Sequence, residues 1–138
     1  ATLILDVIKA VIPVIYVKLS YPELIYIASL CAFLGHVFPF WLKFKGGKGV
    51  ATYVGILFSI DIFLGFIFCG SWVIIFLLSR YSSLSSLIGS LTILAYIFFY
   101  EHIIDTFFFG IMFILIFYTH RENIKRLKNK EESKTKIY

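Results

Sequence analysis

The stretch "IFLGFIFCGSWVIIFLLS", Ile62–Ser79, runs 18 residues without a charged side chain. As a helix it would be about 27 Å long, close to the thickness of a bilayer's hydrocarbon core. Comparable apolar runs cover about 1–19, 23–42, 83–100 and 104–119. A chain of 138 residues that is 60% hydrophobic and 20% aromatic has too little interior to bury them all. The pattern predicts an all-α integral membrane protein, a polytopic bundle of about five transmembrane helices. Between the second and third runs, "VATYVGILFSI" at Val50–Ile60 is only 11 residues, about half a bilayer, and reads as a short or broken helix.

Turn signals fall between the runs: Tyr21-Pro22, Phe38-Pro39, Gly46-Gly47 and the serines at 82–86. The net charge of +5 is unevenly spread. Seven of the 13 basic residues (Arg121, Lys125, Arg126, Lys128, Lys130, Lys134 and Lys136) follow the last apolar run. Beside a membrane segment such a tail suits anionic lipid headgroups better than nucleic acid, and no nucleic-acid partner is expected. The division is a transmembrane bundle over 1–120 and a basic juxtamembrane tail over 121–138. With the tail in the cytoplasm, alternation puts Lys43, Lys45, Lys48 and Arg80 there too, and Lys18, Glu23, Asp61, Glu101, His102 and Asp105 opposite. Only Lys18 is then basic on the outer side, with Lys9 inside the first run, as the positive-inside rule requires. Cys31 and Cys69 lie in apolar runs and are expected to be reduced, packed thiols. No metal site and no cofactor are expected.

The polar features gather on that cytoplasmic side. In "FKGGKGVAT", residues 44–52, Gly46, Gly47 and Gly49 leave backbone N–H groups open to an anion. Lys48 adds charge, Thr52 a hydroxyl, and a helix starting near Val50 would aim its N-terminal dipole at the same place. Phosphate fits this chemistry. A nucleotide P-loop does not, because Gly49 stands where Ser or Thr belongs and Leu42 where the first glycine belongs. A plain basic turn is the simpler alternative. His36 precedes the loop, and a histidine at a helix end is commonly structural. The His-x-x-x-x-Asp pair of soluble glycerolipid acyltransferases is missing, since Trp41, Phe107 and Lys125 fall at the fifth position after His36, His102 and His120.

Three further stretches complete the set. Ser82, Ser83, Ser85 and Ser86 stand where a helix enters the membrane, either as caps or as hydrogen-bond donors to a polar headgroup. In "HRENIKRLKNKEESK", residues 120–134, His120, Asn123 and Leu127 share one helical face, while Lys125 and Lys128 point elsewhere. His and Asn on the inward face suggest a polar site closed from below; the alternative is a lipid-binding tail. Asp6 and Lys9, three residues apart inside the first run, either pair with each other or reach that site.

"GHVFPFWLKFKGGKGVAT" and "HRENIKRLKNKEESK" resemble the second and third motifs of the bacterial PlsY family of membrane acyltransferases. "LDVIKAVIPV" and "RYSSLSSL" resemble two further family segments, so the likeness covers essentially the whole chain. It implies transfer of a fatty acyl group from acyl phosphate to the 1-hydroxyl of sn-glycerol 3-phosphate, giving lysophosphatidic acid and phosphate in a bacterial plasma membrane. Carried over to these positions, it puts Lys48 and its glycines at the substrate phosphates, and Thr52, His36 and Ser86 join them as candidate phosphate-binding residues. It places His120, Asn123 and Ser83 in the pocket that orients glycerol 3-phosphate, so that with Lys48 they form the expected catalytic set. It makes Glu132 and Lys134 structural; Asp6, Lys9, Arg126 and Glu132 are the candidate supporting residues. Lys130 stands where the third motif usually has glycine. The family's first motif and one helix before it are expected upstream of Ala1, and residues 1–138 alone to be impaired. The rival reading is a small transporter or channel subunit with a lipid-binding tail, which would string polar groups along a path through the bundle. A thioester donor is a rival within the enzyme reading. Acyl-chain length and oligomeric state are not legible.

Overall fold

The computed structural model describes residues 2–44, 46–100 and 103–135. Lys45, Glu101, His102 and Lys136, assigned to loops and tail above, lie outside them. The described residues form seven α-helices: α1 (Thr2–Ser20), α2 (Ile25–Val37), α3 (Val50–Ile60), α4 (Ile62–Ser79), α5 (Ser82–Tyr100), α6 (Ile103–Thr119) and α7 (Arg121–Lys128). Short 3-10 turns stand at Pro22–Leu24 and Phe40–Leu42. The chain divides into two compact units, Ala1–Phe66 and Ile67–Tyr138, with α4 starting in the first and continuing into the second.

In the first unit α1 packs on α2 and, most extensively, on α3. Gly55 is what lets α3 approach. A side chain there would meet the Val7 carbonyl at 2.7 Å and the Ala10 Cβ at 3.3 Å, so the contact depends on small residues on both helices. Ala10, Val14, Phe33, Tyr53, Ile56 and Leu57 are fully buried around it. Lys18, in the last turn of α1, donates to the carbonyls of Ser59 (2.9 Å) and Ile60 (2.7 Å), which α3 leaves unsatisfied at its C-terminus. Asp61 then accepts the Phe63 N–H at 2.7 Å and starts α4.

α2 stops at Val37, five residues short of the expected 42. Pro39 is the reason: it drives Phe38 out of the helical region, to φ −121° and ψ 56°. The chain then turns through Lys43 (φ 51°) and Phe44 (φ 61°), both left-handed, and comes back so that Gly46 N–H donates to the Val37 carbonyl at 3.0 Å.

In the second unit Gly89 of α5 lies against the Phe68 ring of α4. One turn away Trp72 Nε1 donates to Ser86 Oγ at 3.1 Å. α5 packs on α6 around Ile93, Ile97, Phe109, Met112 and Ile116. α6 and α7 meet at a 62° bend.

By length and composition α4 and α5 can each cross a membrane, and the bent α6–α7 pair makes a third candidate among the described residues. α1 and α2, also among the expected helices, fall outside that length-and-composition set for two physical reasons. α1 is long enough, at 19 residues, but carries Asp6, Lys9 and Lys18, and Pro39 cuts α2 short. On α4, Phe66, Val73, Ile74, Leu77 and Leu78 point outward, an apolar face suited to lipid. Cys69 is half-buried, but Cys31 is exposed on α2 rather than packed as expected, because it lies off the face that buries Ser29, Phe33 and Val37.

Candidate active site

The glycines of the 46–49 loop are required by packing before any ligand is considered. A side chain at Gly46 would strike the carbonyls of His36 and Val37 and the Pro39 ring. One at Gly47 would collide with the His36 imidazole, 3.0 Å from Cε1 and 3.4 Å from Cδ2. Gly49 has φ 83°, a left-handed value that favours glycine, and abuts the Phe33 ring as the residue before α3. The loop therefore lies against the C-terminal end of α2, and Lys48 within it is exposed.

Behind it stands a charged group. Lys9 Nζ donates to Asp6 Oδ1 at 2.6 Å, and His36 Nδ1 lies 3.5 Å from the same oxygen. Of the two alternatives for Asp6, the structure shows the pairing with Lys9, and the same carboxylate also faces the histidine beside the loop. Thr52, in the first turn of α3, is fully buried, and its hydroxyl has no hydrogen-bond partner among the described residues. Buried hydroxyls are seldom left so, which marks a place for a further donor or acceptor.

A separate polar cluster occupies the second unit, with Glu132 as its hub. Glu132 Oε1 accepts from Ser83 Oγ and from Asn123 Nδ2, and Oε2 accepts from Arg126 Nε, each at 2.7 Å. Burial alone pushes the Glu132 carboxyl upward. The three hydrogen bonds and the Arg126 charge outweigh it and bring the pKa down to about 2. The segment after α7 is thus folded back onto α5 rather than trailing in solvent. The turn that folds it is a Schellman motif, in which Lys130 N–H donates to the Leu127 carbonyl (3.1 Å) and Glu131 N–H to the Arg126 carbonyl (2.8 Å). Lys130 takes the left-handed position of that motif, φ 60°. Thr135 N–H then reaches the Arg80 carbonyl at 2.9 Å.

His120 and Asn123 are 1% and 4% exposed, while Lys125 and Lys128 on the other face of α7 are exposed. His120 Nδ1 lies 2.9 Å from the Ile116 carbonyl, an acceptor only, so the ring proton sits on Nδ1 and Nε2 is the ring's acceptor when neutral. Asn123 must present its NH2 to the Glu132 carboxylate. Its Oδ1 is buried, with no hydrogen-bond partner among the described residues.

Ser85 and Ser86 do not act as caps. Ser85 and Ser86 donate to the carbonyls of Tyr81 and Ser82, each at 2.9 Å, and so bond back along α5 instead of capping its N–H groups. Ser83 commits its one proton to Glu132 and can offer a ligand only lone pairs. Two relationships escaped sequence reasoning: the pairing of Asp6 with His36, and the hub role of Glu132. The first joins residues thirty positions apart and has no local signal. The second was signalled only by the match to the third motif, which named Glu132 without showing what it holds.

The glycerol-3-phosphate acyltransferase family model matches residues 1–130. A glycerol-3-phosphate acyltransferase of Pelagibacter ubique is 70% identical over the whole chain, which spans 72% of that relative's length. One of Bradyrhizobium diazoefficiens is 42% identical over 96% of the chain and 68% of its own length. A crystal structure of PlsY, an integral membrane glycerol 3-phosphate acyltransferase, in its glycerol 3-phosphate form superposes with a TM-score of 0.89 at 32% identity, covering 97% of this chain and 69% of that one. The lysophosphatidic acid form of PlsY is equally similar, with a TM-score of 0.89 at 32% identity. These findings do not favour the transporter reading, and the chain belongs to the glycerol-3-phosphate acyltransferase family.

Proposed function

We propose that the protein is a membrane acyltransferase that moves a fatty acyl group from acyl phosphate to the 1-hydroxyl of glycerol 3-phosphate, with lysophosphatidic acid and phosphate as products. The observation that carries the acceptor is the 70% identity to a relative named for it. Each polar cluster, taken by itself, has chemistry that suits a part of such a substrate. The 46–49 loop with Lys48, Thr52 and the start of α3 offers charge and N–H donors, which suit a phosphate. The Ser83, His120 and Asn123 cluster is rich in acceptors, Ser83 Oγ and Asn123 Oδ1 above all, and suits the hydroxyls of a glycerol unit. Ser86, on the next turn of α5, is held by Trp72, Glu132 holds Asn123, and Arg126 holds Glu132.

In the reaction the 1-hydroxyl oxygen attacks the acyl carbonyl carbon, the new C–O ester bond forms, and the bond from that carbon to the phosphate oxygen breaks. Phosphate departs with the electron pair, and the hydroxyl proton passes to a phosphate oxygen. The protein's part is placement and charge stabilisation of the leaving phosphate. The donor arrives already activated, so the residues are asked for no covalent intermediate. The loops and the basic segment after α6 face the cytoplasm in this reading, with Asp61 and Asp105 outside, and residues 1–120 form the bundle in a bacterial plasma membrane.

The test is acyl transfer to labelled glycerol 3-phosphate in proteoliposomes, using the protein expressed from its complete coding sequence. Acyl phosphate, acyl-carrier protein thioester and coenzyme A thioester are compared as donors. Label in lysophosphatidic acid with acyl phosphate alone, and one phosphate released per acyl group, is the expected result. Equal use of a thioester would remove acyl phosphate as the specific donor, and no labelled product from any donor would remove the acyltransferase reading.

A further inference from the structure

The Asp6, Lys9 and His36 group stands behind the 46–49 loop rather than in it. Asp6 Oδ1 takes the Lys9 ammonium at 2.6 Å and faces His36 Nδ1 at 3.5 Å, an electrostatic contact longer than an ordinary hydrogen bond. The imidazole is largely covered, with its side chain 10% exposed. Its far nitrogen, Nε2, with the two carbons beside it, is what a side chain at Gly47 would strike. One ring thus touches a carboxylate on α1 with one edge and the backbone of the loop with the other. We propose that Asp6 and His36 are a positioning pair that sets the height and tilt of the loop at Gly47, and through it the direction in which Lys48 and the neighbouring N–H groups point.

The chemistry of the pair explains why these residue types are used. A carboxylate accepts only, so it selects the Nδ1–H tautomer and fixes the ring's rotation about Cβ–Cγ. A flat ring is then a floor of defined orientation on which a glycine, and no larger residue, can lie. Lys9 keeps the carboxylate from standing as an isolated charge in a mostly apolar helix. Its ammonium also offsets the negative charge that would otherwise stand behind an anion-binding loop. Asp6 acts through His36 and His36 through the loop backbone, so neither is asked to touch the reacting atoms. The inference rests on the reading of the 46–49 loop as the phosphate-binding segment.

The test uses Asp6→Asn, His36→Ala, the double variant Asp6→Asn/His36→Ala, Gly47→Ala and Gly47→Ala/His36→Ala, all in nanodiscs. Two readouts are taken: kcat and KM for glycerol 3-phosphate, and hydrogen–deuterium exchange of the amides at 47–49 without substrate. Asp6→Asn and His36→Ala are each expected to raise KM about tenfold with kcat nearly unchanged, equal to about 1.4 kcal/mol of substrate affinity. The double variant is expected to be no worse than His36→Ala, because one effect runs through the other. Gly47→Ala should raise KM, and removing the ring should recover part of that loss by vacating the space its methyl needs. Exchange at 47–49 should quicken in both single variants. Multiplying effects of Asp6→Asn and His36→Ala, an unchanged KM, or unaltered exchange would each overturn the pair. If wild-type protein turns over no glycerol 3-phosphate, the functional reading fails, and the exchange data still decide whether the two residues position the loop.

Discussion

Asn123 turns its amide nitrogen to Glu132, Nδ2 to Oε1 at 2.7 Å, and that bond settles which atom of the amide is left for a ligand. Glu132 can only accept, so Asn123 Oδ1 is the buried atom that remains to receive a donor. The same carboxylate oxygen takes the Ser83 proton, and so two side chains on α5 and α7 are both made acceptors by one residue beyond them.

Glu132→Gln is expected to undo that selection. The carboxamide offers an NH2 as well as an oxygen, and Asn123 loses the constraint on its flip. kcat/KM should fall about tenfold or more, and the Arg126 contact should weaken, with stability falling by about 2 kcal/mol, the scale of a hydrogen bond to a charged group. Steady-state kinetics beside thermal unfolding checks this; wild-type values for both would show the hub to be incidental.

The pH dependence follows from the same carboxylate. Its folded pKa of about 2 lies below its ordinary 4.5, so the folded state holds the charged form more tightly. That contribution is complete above pH 4.5 and is lost as pH falls toward 2. Melting temperatures between pH 7 and 3 should therefore drop more steeply below pH 4.5 in wild type than in Glu132→Gln, and parallel curves would contradict the assignment.

Lys130 occupies a left-handed turn position that suits glycine, φ 60°. Lys130→Gly should relieve about 1 kcal/mol of backbone strain while keeping both Schellman hydrogen bonds. A higher melting temperature with unchanged kinetics is expected. A lower one would mean that the lysine side chain contributes more than its backbone costs.

Lys18→Met removes the ammonium that closes the end of α3 at Ser59 and Ile60. The side chain is exposed, so the loss should be about 1 kcal/mol, and activity should change little because the contact lies at the end of α3 away from the loop. Unfolding in detergent measures it, and an unaltered midpoint would show the contact to be negligible.

The parts of the fold that could be read from the sequence are those fixed by local chemistry. α3 occupies 50–60 as expected because Gly49 opens it and Asp61 ends it, and α4 to α6 match their apolar runs to within a residue. The inward face of α7 was equally legible, since His120 and Asn123 recur at helical spacing among lysines. The end of α2 was misplaced because the apolar run continues beyond Pro39 although the helix cannot. The return of the chain after α7 was invisible because a lysine, not a glycine, makes the left-handed turn. The glycines at 46 and 47 suggested open backbone for an anion, whereas much of their purpose is to let the loop lie against α2, which only packing reveals.

Acyl transfer from acyl phosphate by wild type, Lys48→Ala, Asn123→Ala and Lys125→Ala, with glycerol 3-phosphate and with unphosphorylated glycerol as acceptors, is the most direct measurement. The expected result is a loss of about two to three orders of magnitude in kcat/KM with glycerol 3-phosphate for Lys48→Ala and Asn123→Ala, and a small, salt-sensitive change for Lys125→Ala. Lys48→Ala should also lose most of its preference for the phosphorylated acceptor, while Asn123→Ala keeps it. Wild-type rates for Lys48→Ala and Asn123→Ala, or equal losses in all three variants, would contradict the division of work between a phosphate-binding loop and a hydroxyl-accepting cluster.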